Sequence, residues 1–301
     1  MKLRNNYKTI CSGLEKTGVG IGRPIAGASD VFDVTTFCGH RVRNTCCKIF
    51  RDTSPAEVEK EYQMSRRLYQ HDPVHFMRVC GPPVSFTIED TIFEGYKKSC
   101  YALLMEKSIP FTFAPGPKYV SFYVRFLLDL CQAAQTIHSL GYVHMDISPD
   151  NLVINSHGNY CLIDFGTSKK ITDMVISLYD LSDSKYFTAP EILKGEFSAQ
   201  SDIYSIGMTA RFVLMNGIIE IPACHADIRQ IYMNKGKLVP LGSDDVYTNH
   251  FLSIINKATA FSPSDRYKNT DEMLNDLLKF PIENDIKFYS RCYEYDENEA
   301  V

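Results

Sequence analysis

Three side chains whose oxygen atoms can bind a metal ion occur in the middle of the sequence, at spacings that suit metal-dependent chemistry. Asp146 lies in the segment YVHMDISPDNLVI, Asn151 follows five residues later, and Asp164 follows eighteen residues after Asp146. Two short apolar stretches joined by a turn lie between Asn151 and Asp164, and a hairpin of this length would fold the two residues back together. Two carboxylates and an amide oxygen are suitable ligands for Mg²⁺, which takes few protein ligands when phosphates supply the rest.

The elements before this segment are predicted to be mostly β-sheet with one helix. Apolar and polar residues alternate over residues 31–50, with a turn at Cys38-Gly39-His40, and this pattern predicts a β-hairpin. Ser54 and Pro55 open a Glu-rich turn that is typical of a helix N-terminus. The segments VSFTIED and SCYALLME predict two further strands.

The character of the chain changes after the proline-containing segment SIPFTFAPGPK. A long helical pattern follows and ends at Gly141, and helical patterns return from about Ser201 to Phe280. We therefore predict an α+β, bilobal fold with a ligand cleft between the lobes. The predicted divisions are a β-rich lobe over 1–106, an α-rich lobe over 107–285 and an acidic flexible tail over 286–301.

Six short motifs, in this order along the chain, resemble those of the eukaryotic-type protein kinases. The resemblance spans roughly Gly22 to Leu278. It implies that Asp146 is the catalytic base, while Asn151 and the Asp164 of the DFG motif are metal ligands.

Two further motifs in the second half carry the same resemblance. The segment TAPE, which ends at Glu191, resembles the end of an activation segment. The resemblance implies that Asp202 in SDIYSIG braces the catalytic loop, and that Arg266 in SPSDR forms a salt bridge with Glu191.

In the first half, TCCKIF resembles the third strand of the kinase fold, which implies that Lys48 orients the phosphates of ATP. Glu61 is the expected ion-pair partner on the next helix, because Met64 and Leu68 give it an apolar, core-facing side. Glu57 and Glu59 remain alternatives.

The nucleotide-binding segments resemble the family unevenly. In ALLMEKS, Met105 would be the gatekeeper, and Glu106 and Ser108 would offer backbone groups to adenine. The glycine-rich loop IGRPIAGASDVF departs from the pattern because Pro24 and Ala26 stand where glycines are usual, and Pro24 lacks an N–H donor. The remaining loop residues expected to bind the cofactor are Gly22, Gly27, Ser29 and Val31.

Two departures affect charge. Met145 replaces the arginine of the usual His-Arg-Asp, so activity is not expected to await phosphorylation of the activation segment. Ser148 replaces a lysine that neutralises the transferring phosphoryl group, a loss worth about 10²–10³ in rate. Lys169 and Lys185 are the candidate substitutes.

The resemblance implies an ATP- and Mg²⁺-dependent (or Mn²⁺-dependent) kinase that acts on Ser/Thr of a protein substrate. The alternatives are a non-catalytic pseudokinase that binds a partner and a small-molecule phosphotransferase of kinase-like fold. The net charge of −4 and the pI near 6.1 argue against nucleic acid as the main partner. Unpaired cysteines and the absence of an apolar leader or membrane span favour an intracellular, cytoplasmic protein, without separating cytoplasm from nucleus. A monomer is the default expectation.

Overall fold

A computed structural model describes most of the chain, over residues 2–25, 30–89, 97–112, 120–173, 186–218, 235–236 and 238–280. Four earlier predictions lie outside these described residues: Gly27, Ser29, Lys185 and the acidic tail over 286–301.

Antiparallel strands form the sheet of the first hundred residues. Their bounds are β1 Val19–Pro24, β2 Val31–Phe37, β3 His40–Arg41, β4 Thr45–Arg51, β5 Val84–Glu89 and β6 Lys97–Glu106. The sheet order is β1-β2-β4-β6-β5, and β3 pairs with β2 beside this path. The predicted hairpin and the two further strands are therefore confirmed.

The two faces of this sheet pack against different helices. The bounds of these helices are α1 Lys2–Glu15 and α2 Pro55–His71. On β4, Cys47 and Ile49 belong to an apolar cluster with α1, whereas Phe50 packs with Val58 and Tyr62 of α2. Successive side chains of a strand point to opposite faces, so the sheet separates two apolar layers.

The helix α1 corrects the prediction of a single helix in the first hundred residues. Its sequence is polar apart from a short apolar stripe, and a pattern this sparse is a weak helix signal. The stripe is nevertheless buried, since Ile10 and Leu14 are only 1% and 0% exposed against the sheet. The sheet, rather than local propensity, therefore stabilises α1.

The helix α2 begins at Pro55, as the sequence predicted, and a capping box fixes this start. The Glu57 N–H donates to Ser54 Oγ at 3.3 Å, and the Ser54 N–H donates to Glu57 Oε2 at 2.9 Å. Pro55 occupies the first helical position, where its missing N–H costs nothing.

Helices dominate the second half, and short strands lie between them. Their bounds are β7 Ile109–Pro110, α3 Val120–Ser139, β8 Tyr142–Val143, β9 Leu152–Ile154, β10 Tyr160–Leu162, β11 Lys169–Lys170, α4 Ala199–Leu214, α5 Val246–Ala258 and α6 Thr270–Leu277. The long core cluster of this half includes residues of α3, α4, α5 and α6. The chain is thus α+β, as predicted. Within the described ranges no helix is both long and apolar enough to cross a bilayer.

A buried ion pair joins the end of the TAPE motif to the segment before α6. The guanidinium of Arg266 binds the carboxylate of Glu191 through two contacts, of 2.7 Å and 2.8 Å. The pair is almost fully buried, with side chains 0% and 9% exposed. Each charge is neutralised by its partner through these two charge-assisted hydrogen bonds.

We predict that Arg266→Met lowers the free energy of unfolding by about 3–5 kcal/mol, because it leaves the Glu191 carboxylate buried without its cation. Urea denaturation followed by circular dichroism measures the change. Lys279→Met is the matched control, since it removes an exposed pair with Asp276 and should cost less than about 1 kcal/mol. Equal losses in the two variants would contradict the prediction.

Candidate active site

The backbone of the loop that carries Asp146 is held by hydrogen bonds to a fully buried carboxylate. Asp202, in α4, accepts hydrogen bonds from the backbone N–H groups of His144 and Met145 at 2.8 Å and 3.0 Å. Burial opposes ionisation of Asp202, but its contacts with His138 and His144 outweigh burial and hold its pKa below the usual range. Asp202 therefore braces the loop, as the resemblance implied.

The brace fixes an unusual backbone conformation. Met145 has a φ of +75°, a region that side chains other than glycine rarely adopt. The two hydrogen bonds to Asp202 hold the loop in this conformation, which sets the direction of the chain just before Asp146.

Asp146 and Asn151 are brought into direct contact. The Asn151 side-chain Nδ2 donates to both the carbonyl oxygen and the Oδ2 of Asp146, at 2.9 Å and 2.8 Å. These bonds use the amide nitrogen, and Asn151 Oδ1 is left as the oxygen that can meet a cation.

Lys48 joins the sheet, α2 and the DFG segment. Its Nζ lies 2.8 Å from Glu61 Oε1 and 3.0 Å from Asp164 Oδ2. Burial alone would lower the pKa of Lys48, but the two carboxylates outweigh it and raise that pKa above its usual value. The two carboxylates therefore favour the charged form of Lys48.

Glu61 is the one of the three candidate glutamates that reaches Lys48. Glu57 belongs to the capping box, and Glu59 accepts a hydrogen bond from Gln63. Glu61 is only 6% exposed, which agrees with the core-facing side expected from Met64.

The phenylalanine of the DFG motif is buried in the core and anchors the segment beside Asp164. The Phe165 ring packs 5.9 Å from Phe76 and 5.4 Å from the buried imidazole of His144, measured between ring centroids. Asp164 itself has a φ of +65°, so the chain turns sharply between the buried ring and the carboxylate. The cation Lys48 and the N–H of Gly166 outweigh burial and keep the pKa of Asp164 low.

Lys48, Glu61 and Asp164 line a cleft of about 390 Å³ between the sheet and the second half of the chain. The predicted residues that line it are Val31, Lys48, Glu61, Met105, Ser108, Asn151 and Asp164. Gly22 lies in β1 and does not line it. A methyl group at Gly22 would come within 3.1 Å of Thr35 Cγ2, so packing within the sheet accounts for that glycine.

The hinge segment is fixed by backbone hydrogen bonds to neighbouring chain segments. The Glu106 N–H donates to Arg78 O at 2.8 Å, and the Lys107 N–H donates to Asn44 O at 2.9 Å. Ser108 follows at the mouth of the cleft.

Several apolar residues of the cleft were not predicted from the sequence. Ile25 and Cys46 lie on the sheet side, and Val153 and Ile163 lie on the opposite side. The signal was available in the strand alternation: Cys46 has the same orientation as Lys48, two residues on, and Val153 lies in the apolar stretch after Asn151.

Ser148, where the family usually has lysine, is completely buried. Its Oγ has no hydrogen-bond partner among the described residues. A buried hydroxyl without a partner contributes nothing that alanine would lose. Of the candidate substitute cations, Lys169 lies in β11, opposite Val143 of β8.

We predict that Ser148→Ala keeps or raises the free energy of unfolding, by up to about 1 kcal/mol, because it removes an unsatisfied buried hydroxyl. Urea denaturation gives the stability. A loss of more than about 1 kcal/mol would show that Ser148 Oγ has a partner that stabilises the fold.

The C-terminal end of α2 is anchored to α3 by a histidine between two acids. His75 Nδ1 lies 2.8 Å from Asp72 Oδ2, and His75 Nε2 lies 3.7 Å from Asp129 Oδ1. Burial would lower the pKa of His75, but the hydrogen bonds to Asp129 and Asp72 outweigh it and raise that pKa to about 9. The network fixes the end of the helix that carries Glu61.

We predict a pH dependence of stability from His75. Its folded-state pKa is above its ordinary value of 6.5, so its contribution is complete below about pH 6.5 and is lost as pH rises through about 9. His75→Gln should therefore cost about 2 kcal/mol at pH 6 and much less at pH 10. Urea denaturation at both pH values measures this, with the exposed His71→Gln as control. A cost independent of pH would contradict the prediction.

Comparison with known proteins agrees with this geometry. Residues 44–278 match the protein kinase domain. A probable serine/threonine-protein kinase, glkA, of Dictyostelium discoideum is 30% identical over 157 residues, which cover 50% of this chain and 32% of that protein. Serine/threonine-protein kinase PknB of Mycobacterium leprae is 25% identical over 54% of this chain and 27% of its own length.

A third relative, serine/threonine-protein kinase GIN4 of Saccharomyces cerevisiae, is 28% identical over 64% of this chain and 16% of its own length. The matched region thus spans about a third or less of each of these relatives. The family match covers most of the chain, and the chain belongs to the protein kinase superfamily, as its motifs predicted.

Proposed function

We propose that this protein is an active kinase that transfers the γ-phosphoryl group of ATP to Ser or Thr hydroxyls of a protein substrate. The observation that carries the proposal is the position of Lys48, which contacts both Glu61 and Asp164 at the edge of the cleft. Active phosphoryl transfer needs this pair and this aspartate in place together.

The cleft supports ATP as the phosphoryl donor. Apolar side chains such as Val31, Met105 and Val153 line its walls and suit a purine ring. Ser108 and Glu106 of the hinge would offer backbone groups to the purine edge. Lys48, at the charged end, would orient the α and β phosphates.

The oxygen ligands fit a divalent cation. Asp164 is ionised beside Lys48, and its side chain is 42% exposed toward the cleft opening. Asn151 has its amide nitrogen engaged by Asp146, so Oδ1 is the atom that can bind metal. Asn151 and Asp164 would hold Mg²⁺ or Mn²⁺, which would neutralise charge on the phosphates.

Asp146 would act on the substrate. Its Oδ2 accepts a hydrogen bond from Asn151, which orients the carboxylate toward an incoming hydroxyl. The hydroxyl oxygen forms a bond to the γ-phosphorus, the bond to the β,γ-bridging oxygen breaks, and the hydroxyl proton passes to Asp146. Positioning and charge stabilisation account for most of the rate in such transfers.

Two observations favour a protein kinase over the alternatives. The Arg266–Glu191 pair braces the segment that shapes a peptide-binding platform in this family, which speaks against a small-molecule phosphotransferase. The chain has every residue that the resemblance assigns to proton transfer, metal binding and the lysine–glutamate pair, which argues against a pseudokinase. These residues are Lys48, Glu61, Asp146, Asn151 and Asp164. The relatives are named serine/threonine-protein kinases, and this supports the proposed preference for Ser and Thr.

The decisive test is transfer of γ-labelled phosphate from ATP, with Mg²⁺ or Mn²⁺, to the protein itself and to a mixed protein substrate. Asp146→Asn should reduce transfer at least about 10³-fold while leaving nucleotide binding intact, because it removes the proton acceptor and not the ATP site. Phosphoamino acid analysis should find label on Ser or Thr.

Asp265→Asn, the same change at an exposed position far along the chain, is the matched control and should retain full transfer. If wild type gives no label under conditions in which a reference kinase is active, the protein is a pseudokinase and not an active kinase. Label on a sugar or choline but on no protein would identify a small-molecule phosphotransferase.

A further inference from the structure

The helix α1 lies outside the part of the chain that matches the kinase domain, which begins at residue 44. It packs on the face of the sheet opposite α2, through Ile10 and Leu14. The contact is close at Gly13, where a methyl group would come within 2.7 Å of the Thr87 carbonyl oxygen. α1 is therefore an integral part of the first-half core.

One residue of α1 contacts both strands of the glycine-rich hairpin. The Tyr7 hydroxyl donates to the Gly22 carbonyl oxygen at 2.5 Å, and the Tyr7 ring stacks on Phe32 with centroids 5.8 Å apart and planes at 28°. Gly22 precedes the hairpin tip and Phe32 follows it. Tyr7 thus bridges the two strands just before the loop between them.

The Gly22 contact falls where the β-ladder is irregular. The register of β1 against β2 shifts between Ile21 and Pro24, and Pro24 itself has no N–H to give the ladder. A hydrogen bond from outside the sheet is most effective at such a point, because the ladder itself specifies the backbone poorly there.

The hairpin position is transmitted directly to the cleft. Phe32 is buried under α1, whereas Val31, its neighbour on the strand, points to the other face and lines the cleft. Val31 also stands opposite Lys48 in the pairing of β2 with β4. A shift of Phe32 therefore moves the roof of the nucleotide site over Lys48.

We propose that Tyr7 is a positioning residue for the nucleotide, holding the glycine-rich hairpin over the cleft from the opposite face of the sheet. This role rests on the proposed ATP-dependent function. It accounts for a loop in which Pro24 and Ala26 replace glycines, because an external contact sets the hairpin position.

The protonation state of Tyr7 is compatible with this role. Burial and a side-chain hydrogen bond with Cys11 raise the pKa of Tyr7 above its usual value. The hydroxyl therefore stays protonated at neutral pH and can donate to the Gly22 carbonyl.

The test is Tyr7→Phe, which removes the hydroxyl and keeps the ring. We expect the Kd for a fluorescent ATP analogue with Mg²⁺ to rise about 3- to 10-fold, the factor that corresponds to one lost hydrogen bond. KM for ATP should rise in parallel, while kcat changes less than about 2-fold. Backbone amides of β1 should exchange with deuterium faster than in wild type.

Tyr247→Phe is the matched control, because that tyrosine lies on α5, is 44% exposed and packs on Phe280. It should leave the Kd, KM and amide exchange of β1 unchanged. Tyr7→Leu, which removes the stacking as well, should raise the Kd further than Tyr7→Phe.

The outcomes separate the two proposals. If wild type binds the analogue and Lys48→Met abolishes that binding, an unchanged Kd in Tyr7→Phe overturns the role of Tyr7 alone. A lower thermal midpoint with unchanged Kd would likewise reduce Tyr7 to a packing residue. Wild type that binds no analogue, or binding that does not need Lys48, would overturn the ATP-dependent function and this role with it.

Discussion

The cation of Lys48, on a side chain that is only 22% exposed, is balanced by two carboxylates, and the rest of the site depends on this contact. A partly buried ammonium is costly unless it is paired, and here its partners come from two distant segments of the chain. Glu61 arrives on α2, and Asp164 arrives with the turn before Phe165. One electrostatic requirement thus sets the relative position of the sheet, the helix and the turn that carries Asp164.

The segments that carry Glu61 and Asp146 are each fixed by interactions that do not touch the cleft. The capping box of Ser54 sets where α2 begins, and the charged network of His75 sets where it ends. On the other side, Asp202 holds the backbone on the N-terminal side of Asp146. The site is precise because its residues are braced by a second layer of buried polar contacts.

Strand and helix patterns were enough to predict the α+β class. Motif order was enough to predict the kinase family and the candidate site residues, because those residues have the family's types and spacing. Sequence alone favoured Glu61 as the partner of Lys48 but left Glu57 and Glu59 as alternatives, and the path of α2 decides for Glu61. The helix α1 could not be predicted, since its few apolar residues gain meaning only against the sheet. The apolar lining of the cleft depends on strand orientation, which motifs do not specify.

Met145 has a consequence for how the end of the activation segment is ordered. It is buried in an apolar cluster that includes Tyr186 and Phe187, at the position where the family usually has arginine. An arginine–phosphate contact weakens as salt screens it, whereas apolar packing is not screened and loses strength on cooling. Order in this region should therefore respond to temperature and hardly at all to ionic strength, the reverse of a charge-based anchor.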